Sequence, residues 1–218
     1  MTRVALIHAV PMAMAPIAAA FRDHWPAAEI TNLLDDALSV DRERAGALTP
    51  AIAARIAGLA DYAKGYGADA ILYTCSAFGD AIDAVARVSA MPVLKPNEAM
   101  FEAALARGRR IAMIATFEPS IAGMEAEFRL MAGHSGATIE SICVPAAMAA
   151  IRAGDAATHD RLLAAAAKTL AGTHYDALLL AQFSMAGASA AVQSVITCPV
   201  LTSPASAVAK LKRAFSST

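Results

Sequence analysis

Short apolar runs alternate along this chain with longer segments in which apolar and polar positions are mixed. The runs predict strands at 4–10, 30–34, up to Cys75, 92–94, 111–117, 138–144, up to Gln182, and 199–201. The intervening segments predict helices, among them one long amphipathic helix within 41–65 and another within 155–172. Strands that alternate with helices form parallel sheets covered on both faces. The pattern therefore predicts the α/β class.

The same pattern occurs twice, with an offset of 107 residues. Residues 69–94 align without a gap on 176–201, which pairs Pro92 with Pro199 and Cys75 with Gln182. RVALIHA at 3–9 likewise falls on RIAMIAT at 110–116. This period is far longer than that of solenoid repeats. We predict two pseudo-symmetric lobes, each a parallel four-stranded sheet flanked by helices, formed by 1–97 plus 205–218 and by 98–204.

Composition narrows the classes of function. A formal net charge of −1 offers no basic surface, so we expect neither nucleic acid nor a membrane as a partner. Three cysteines without a CxxC pair argue against a disulfide framework and favour a reducing, cytoplasmic compartment. The histidines lack metal-ligand spacing and the chain has no glycine-rich phosphate motif, so we predict no metal and no cofactor.

Small polar residues collect where the predicted strands end. Ligands of parallel sheets bind beyond the carboxyl ends of the strands, and we expect the two sets of strand ends to line one cleft between the lobes. The candidate residues are His8, Thr74, Cys75 and Ser76 in the first lobe, and Thr116, Phe117, Gln182, Phe183 and Ser184 in the second.

Cys75 is the strongest candidate for chemistry, because it follows an apolar strand and precedes a predicted helix. Unpaired N–H groups and the positive end of a helix dipole favour a thiolate, and the same groups can hold a carboxylate. We therefore expect a lowered pKa and an acid–base role. The alternative is a buried structural thiol. His8 is a candidate for assisting proton transfer, against the alternative of a structural loop histidine.

Three segments resemble the Asp/Glu/hydantoin racemase superfamily. GADAILYTCSAFG at 67–79 resembles its first cysteine motif, YDALLLAQFSMAG at 175–187 its second, and IAMIAT at 111–116 the strand and threonine loop that open its second lobe. The resemblance implies cofactor-independent proton transfer at a carbon alpha to a carboxylate of a small acid, with racemisation or isomerisation as the default. Dimers are common among such relatives, which makes a homodimer one expected state.

The chain departs from that pattern at Gln182, where the second cysteine belongs. Two alternatives therefore stay open. One is decarboxylation of a malonate-like acid followed by one-sided protonation, as in arylmalonate decarboxylase, whose single cysteine lies in the second lobe. The other is a binding protein for small acids that has lost catalysis. We predict that Cys75 and His8 are catalytic and that seven residues bind substrate: Thr74, Ser76, Thr116, Phe117, Gln182, Phe183 and Ser184.

Overall fold

The computed structural model describes residues 1–216 and contains two four-stranded parallel sheets. The strands are β1 Arg3–His8, β2 Glu29–Leu34, β3 Ala70–Tyr73, β4 Val93–Leu94, β5 Arg110–Ala115, β6 Thr138–Cys143, β7 Ala177–Leu180 and β8 Val200–Thr202. The helices are α1 Met14–His24, α2 Ala37–Ala45, α3 Pro50–Gly65, α4 Gly79–Val88, α5 Glu98–Leu105, α6 Ile121–Ala132, α7 Pro145–Arg152, α8 Ala156–Leu170, α9 Ser189–Gln193 and α10 Ser203–Ser216.

The two sheets have the same strand order, β2-β1-β3-β4 and β6-β5-β7-β8, and every strand pair is parallel. The predicted duplication is confirmed at this level. The duplication also includes a corresponding hydrogen bond at the first residue of β1 and at the first residue of β5. The Asp69 carboxylate accepts from the Arg3 backbone N–H at 2.7 Å, and the Asp176 carboxylate accepts from Arg110 N–H at 2.8 Å.

The core explains why the strands are apolar on both faces. In the second sheet, Ile114, Leu178 and Leu180 belong to the core cluster that contains Leu163 of α8. The alternate residues of the same strands, such as Met113 and Leu179, belong to the cluster that contains Phe101 of α5 and Phe128 of α6. Parallel sheets buried on both faces lose the polar alternation of half-exposed strands.

The long helix predicted within 41–65 is α3, and a separate helix that was not predicted, α2, precedes it. Gly46 adopts φ +66° and ends α2, since glycine takes this left-handed conformation without a Cβ clash. The Thr49 side chain then accepts from Ile52 N–H at 3.3 Å and caps α3, whose first residue is Pro50. The helix α7 was not predicted either. It is separated from α8 by Gly154 at φ +78° and by Asp155, which caps α8 through Thr158 N–H at 2.9 Å.

The described chain divides into two compact units. The first comprises Met1–Pro96 with the segment from Ala207 onward, and the second comprises Asn97–Ser206. The helix α10 begins in the second unit and continues in the first. Among the described residues, no helix is long and apolar enough to cross a membrane.

A buried hydrogen bond connects β3 to α3 just before the candidate site. The Tyr73 hydroxyl donates to Ile56 O at 2.8 Å, and Tyr73 is 2% exposed. We expect Tyr73→Phe to lower the free energy of unfolding by about 1 kcal/mol, because the ring is kept and one buried hydrogen bond is lost. Urea unfolding measures the change. Tyr62→Phe, at a residue 66% exposed, is the control and should have almost no effect.

Candidate active site

Cys75 lies at the carboxyl edge of the first sheet, two residues beyond the end of β3. Its backbone is extended, with φ −127° and ψ 124°, and a short 3-10 helix, Ser76–Phe78, follows it. The side chain is half-buried, while Ser76 is exposed. The edge therefore presents one thiol beside an exposed hydroxyl group.

The surroundings of the Cys75 thiol are mainly apolar. Ile7, Leu38, Tyr73 and Phe78 line the same recess and leave no space in it for a water molecule. This burial raises the pKa of Cys75, and a hydrogen bond from the Ala77 backbone offsets it only in part. The predicted lowering of the pKa is wrong, because burial of the thiol outweighs this hydrogen bond.

Alkylation should reveal this raised pKa directly. In a Cys143→Ala, Cys198→Ala background, we expect iodoacetamide labelling of Cys75 to increase with pH and to reach its midpoint above about 8.5, the value of a free thiol. The thiolate is the reactive form, and burial shifts its formation to higher pH. The same chain unfolded in urea is the control and should show the ordinary midpoint. A midpoint in the folded chain below that of the unfolded chain would contradict the prediction.

His8 is fully buried at the end of β1 and both ring nitrogens are bonded. Its Nε2 lies 2.9 Å from the amide oxygen of Asn32, which can only accept, so Nε2 carries the hydrogen. Burial lowers the pKa of His8, although the Asn32 contact opposes the shift, and the ring is neutral at pH 7. Its Nδ1 therefore accepts from the Thr74 hydroxyl at 2.9 Å. Sequence analysis missed Asn32, whose only signal was a polar residue within a strand.

Gln182 lies at the matching edge of the second sheet, and its amide is bonded at both ends. The oxygen accepts from Thr116 N–H at 3.0 Å and from the Thr116 hydroxyl at 3.3 Å. The nitrogen donates to Ser120 Oγ at 3.3 Å. Ser120 was not among the predicted site residues, although it lies in the segment that follows β5.

The remaining candidates differ in their exposure. Phe117 is 48% exposed directly after Thr116, whereas Phe183 is buried and Ser184 is partly buried. The structure thus brings Cys75, His8 and Thr74 together at one sheet edge. It brings Thr116, Phe117 and Gln182 together at the other.

Two further observations concern cavities and metals. A cavity of about 330 Å³ in the second unit is lined by Leu105, Arg107 and Arg109, at the amino-terminal end of β5 and thus away from the strand ends described above. Within residues 1–216, no cluster of three or more His, Cys, Asp or Glu side chains is arranged to hold a metal ion.

The sequence also matches a family described as Asp/Glu/Hydantoin racemase, over residues 13–211. The chain belongs to this family. The Asp/Glu/hydantoin racemase fold recurs in solved structures of low sequence identity. No curated protein matches the sequence well enough to count as a relative.

Among those structures is an allantoin racemase from Klebsiella pneumoniae, with a TM-score of 0.75 and 17% identity, covering 99% of this chain and 88% of that one. A glutamate racemase from Bacillus anthracis has a TM-score of 0.73 and 14% identity, with coverage of 99% and 82%. An aspartate racemase from Picrophilus torridus has a TM-score of 0.69 and 14% identity, with coverage of 97% and 94%. At these identities the likeness establishes the fold.

Proposed function

We propose that this member of the Asp/Glu/hydantoin racemase family catalyses cofactor-independent proton transfer at a carbon alpha to a carboxylate, in a racemase- or isomerase-type reaction. The observation that carries the proposal is the place of Cys75. Cys75 is a partly buried residue at the carboxyl edge of a parallel sheet, within the segment that resembles the first cysteine motif.

The chemistry follows from the state of that thiol. Because burial raises its pKa, Cys75 holds its proton at pH 7 for most of the time. In the proposed reaction the thiol first loses its proton to solvent, and the resulting thiolate takes the alpha proton of the bound acid, which leaves the electron pair on the carbon as an enediolate. The re-formed thiol then returns a proton to the enediolate, and the thiolate regains its own proton from water. The reaction needs no redox step, because each turnover begins and ends with the neutral thiol.

Binding of the carboxylate is proposed for the residues around the thiol. The exposed Ser76 hydroxyl is placed to donate to an anionic oxygen, and Thr74 is held by His8 directly before Cys75. His8 itself acts in this scheme as a positioning residue, because both of its nitrogens are occupied. The proposal includes four further substrate-binding residues at the strand ends of the second sheet: Thr116, Phe117, Phe183 and Ser184.

One observation favours a second candidate, decarboxylation of a malonate-like acid. An amide has no pKa near 7, so Gln182 cannot replace a second cysteine as an acid or base. One thiol that is protonated at rest suits a reaction in which loss of CO₂ creates the carbanion and Cys75 protonates it on one face. In this reaction the breaking carbon–carbon bond supplies the electron pair that takes up the thiol proton.

Incubation in D₂O tests the proposal. We expect the wild-type chain, after dialysis against a chelator, to exchange the alpha proton of at least one acid in a panel of 2-substituted carboxylates, as followed by NMR. Disubstituted malonates in the same panel separate the candidates, because only decarboxylation releases CO₂ and yields a mono-acid carrying one deuterium. Tight binding of an acid with neither exchange nor CO₂ release would instead indicate a binding protein.

A further inference from the structure

The segment after β5 is anchored to Gln182 at both of its ends. Thr116, at the start, donates to the amide oxygen through its backbone N–H and its hydroxyl. Ser120, at the end, accepts from the amide nitrogen. Within the turn, Ser120 donates from its hydroxyl to Phe117 O at 2.7 Å and from its N–H to the same oxygen at 3.1 Å. One side chain thereby holds a five-residue turn.

The internal repeat indicates that these residues form a set. The positions that match Thr116, Ser120 and Gln182 in the first half of the chain are Ala9, Ala13 and Cys75. None of those three offers an amide or hydroxyl group, so the arrangement is absent there as a whole. The anchored turn therefore occurs in the second half of the chain, which has Gln182 at the position of Cys75.

Phe117 is the aromatic residue among the three that this turn exposes to solvent, the others being Glu118 and Pro119. Its ring is 48% exposed, while Thr116 beside it is 2% exposed. Single exposed apolar side chains are common on proteins. Here, however, the backbone on both sides of the ring is fixed, and the ring lies at the strand edge where ligands of parallel sheets bind. A ring held in place in advance loses little conformational freedom when a ligand covers it.

We infer that Gln182 is a positioning residue that fixes the Thr116–Ser120 turn, and that Phe117, held by this turn, selects acids with an apolar, preferably aromatic, alpha substituent. The inference rests on the proposed function for the site itself. It adds a class of substrate and assigns a positioning role to Gln182, the residue at the position of the second cysteine.

Binding measurements test the inference without requiring turnover. Calorimetry with 2-phenylpropionate and with lactate gives a ratio of two affinities for each variant. We expect wild type to prefer the aromatic acid, and Phe117→Ala to lower this preference about three- to tenfold while the affinity for lactate is unchanged. Gln182→Met, which keeps the size and removes the hydrogen bonds, should lower the preference in the same direction. Gln182→Glu retains an oxygen acceptor for Thr116 and should restore most of it.

Leu130→Ala is the matched control, because Leu130 is an apolar residue 82% exposed on α6 of the same unit. It should leave the ratio unchanged. An unchanged ratio in Phe117→Ala, or no preference in wild type, overturns the inference. A change in Phe117→Ala without one in Gln182→Met overturns the positioning role. If wild type shows the preference but exchanges no alpha proton in D₂O, the proposed reaction fails and this inference stands.

Discussion

Cys75→Ser is expected to lower the rate of alpha-proton exchange, or of decarboxylation, by about 10²- to 10⁴-fold, the usual contribution of a positioned acid–base group. Serine has nearly the size of cysteine, so the half-buried position beside Tyr73 and Phe78 stays filled. Its hydroxyl is a far weaker acid than a thiol and cannot protonate a carbanion at a useful rate. The loss should appear in kcat, with little change in the affinity for the acid.

The other two cysteines provide the controls. Cys143 ends β6 and Cys198 precedes β8, and burial raises the pKa of both thiols, that of Cys143 to about 11. Neither lies in a segment that matches a cysteine motif. Cys143→Ser and Cys198→Ser should therefore keep the wild-type rate. Equal losses in all three variants would point to destabilisation in place of a catalytic role for Cys75, and thermal unfolding of each variant would show this.

The fold was predictable because its signals are local and occur twice. The apolar run at 4–10 and the run at 111–117 each predict a strand, and their fixed offset predicts that β1 and β5 occupy the same place in two sheets. The observed strand orders agree. The boundary between α2 and α3 could also have been predicted, since glycine commonly ends helices and Thr49-Pro50 is a common helix start. It was missed because the amphipathic pattern continues across these residues.

The chemistry of the site was less predictable, because it depends on contacts between distant residues. The pKa of Cys75 depends on the burial of its thiol, in a recess that Leu38 and Ile7 also line, and on a hydrogen bond from the Ala77 backbone. Sequence alone could not supply the burial or the hydrogen bond. The bonds of Gln182 to Thr116 span 66 residues, so only the packed strand ends reveal that its amide is already occupied. The sequence thus predicts candidate residues, whereas their burial and hydrogen-bond partners follow only from the packed structure.

Wild type should act on one face of the substrate carbon, so we expect a one-way isomerase or a stereoselective decarboxylase and only slow racemisation. With Cys75 as the acid–base group, His8 neutral with both nitrogens bonded, and an amide at Gln182, one enantiomer of a chiral acid should exchange its alpha proton about 10²- to 10⁴-fold faster than the other. A decarboxylation product should likewise be a single enantiomer. Chiral chromatography after incubation in D₂O measures both outcomes. Equal exchange of the two enantiomers by wild type would contradict the prediction and would require a second acid–base group.

Gln182→Cys should then increase racemisation, because it places a second thiol at the position that matches Cys75 in the internal repeat. The substitution also removes the hydrogen bonds to Thr116 and Ser120, and leaving buried polar groups without partners should cost about 1–3 kcal/mol of stability. Gln182→Ser is therefore the matched control, since it loses the same bonds of the amide without gaining a thiol. Racemisation that appears in the cysteine variant, is absent from the serine variant and disappears in the double variant with Cys75→Ser would assign one face of the carbon to each thiol.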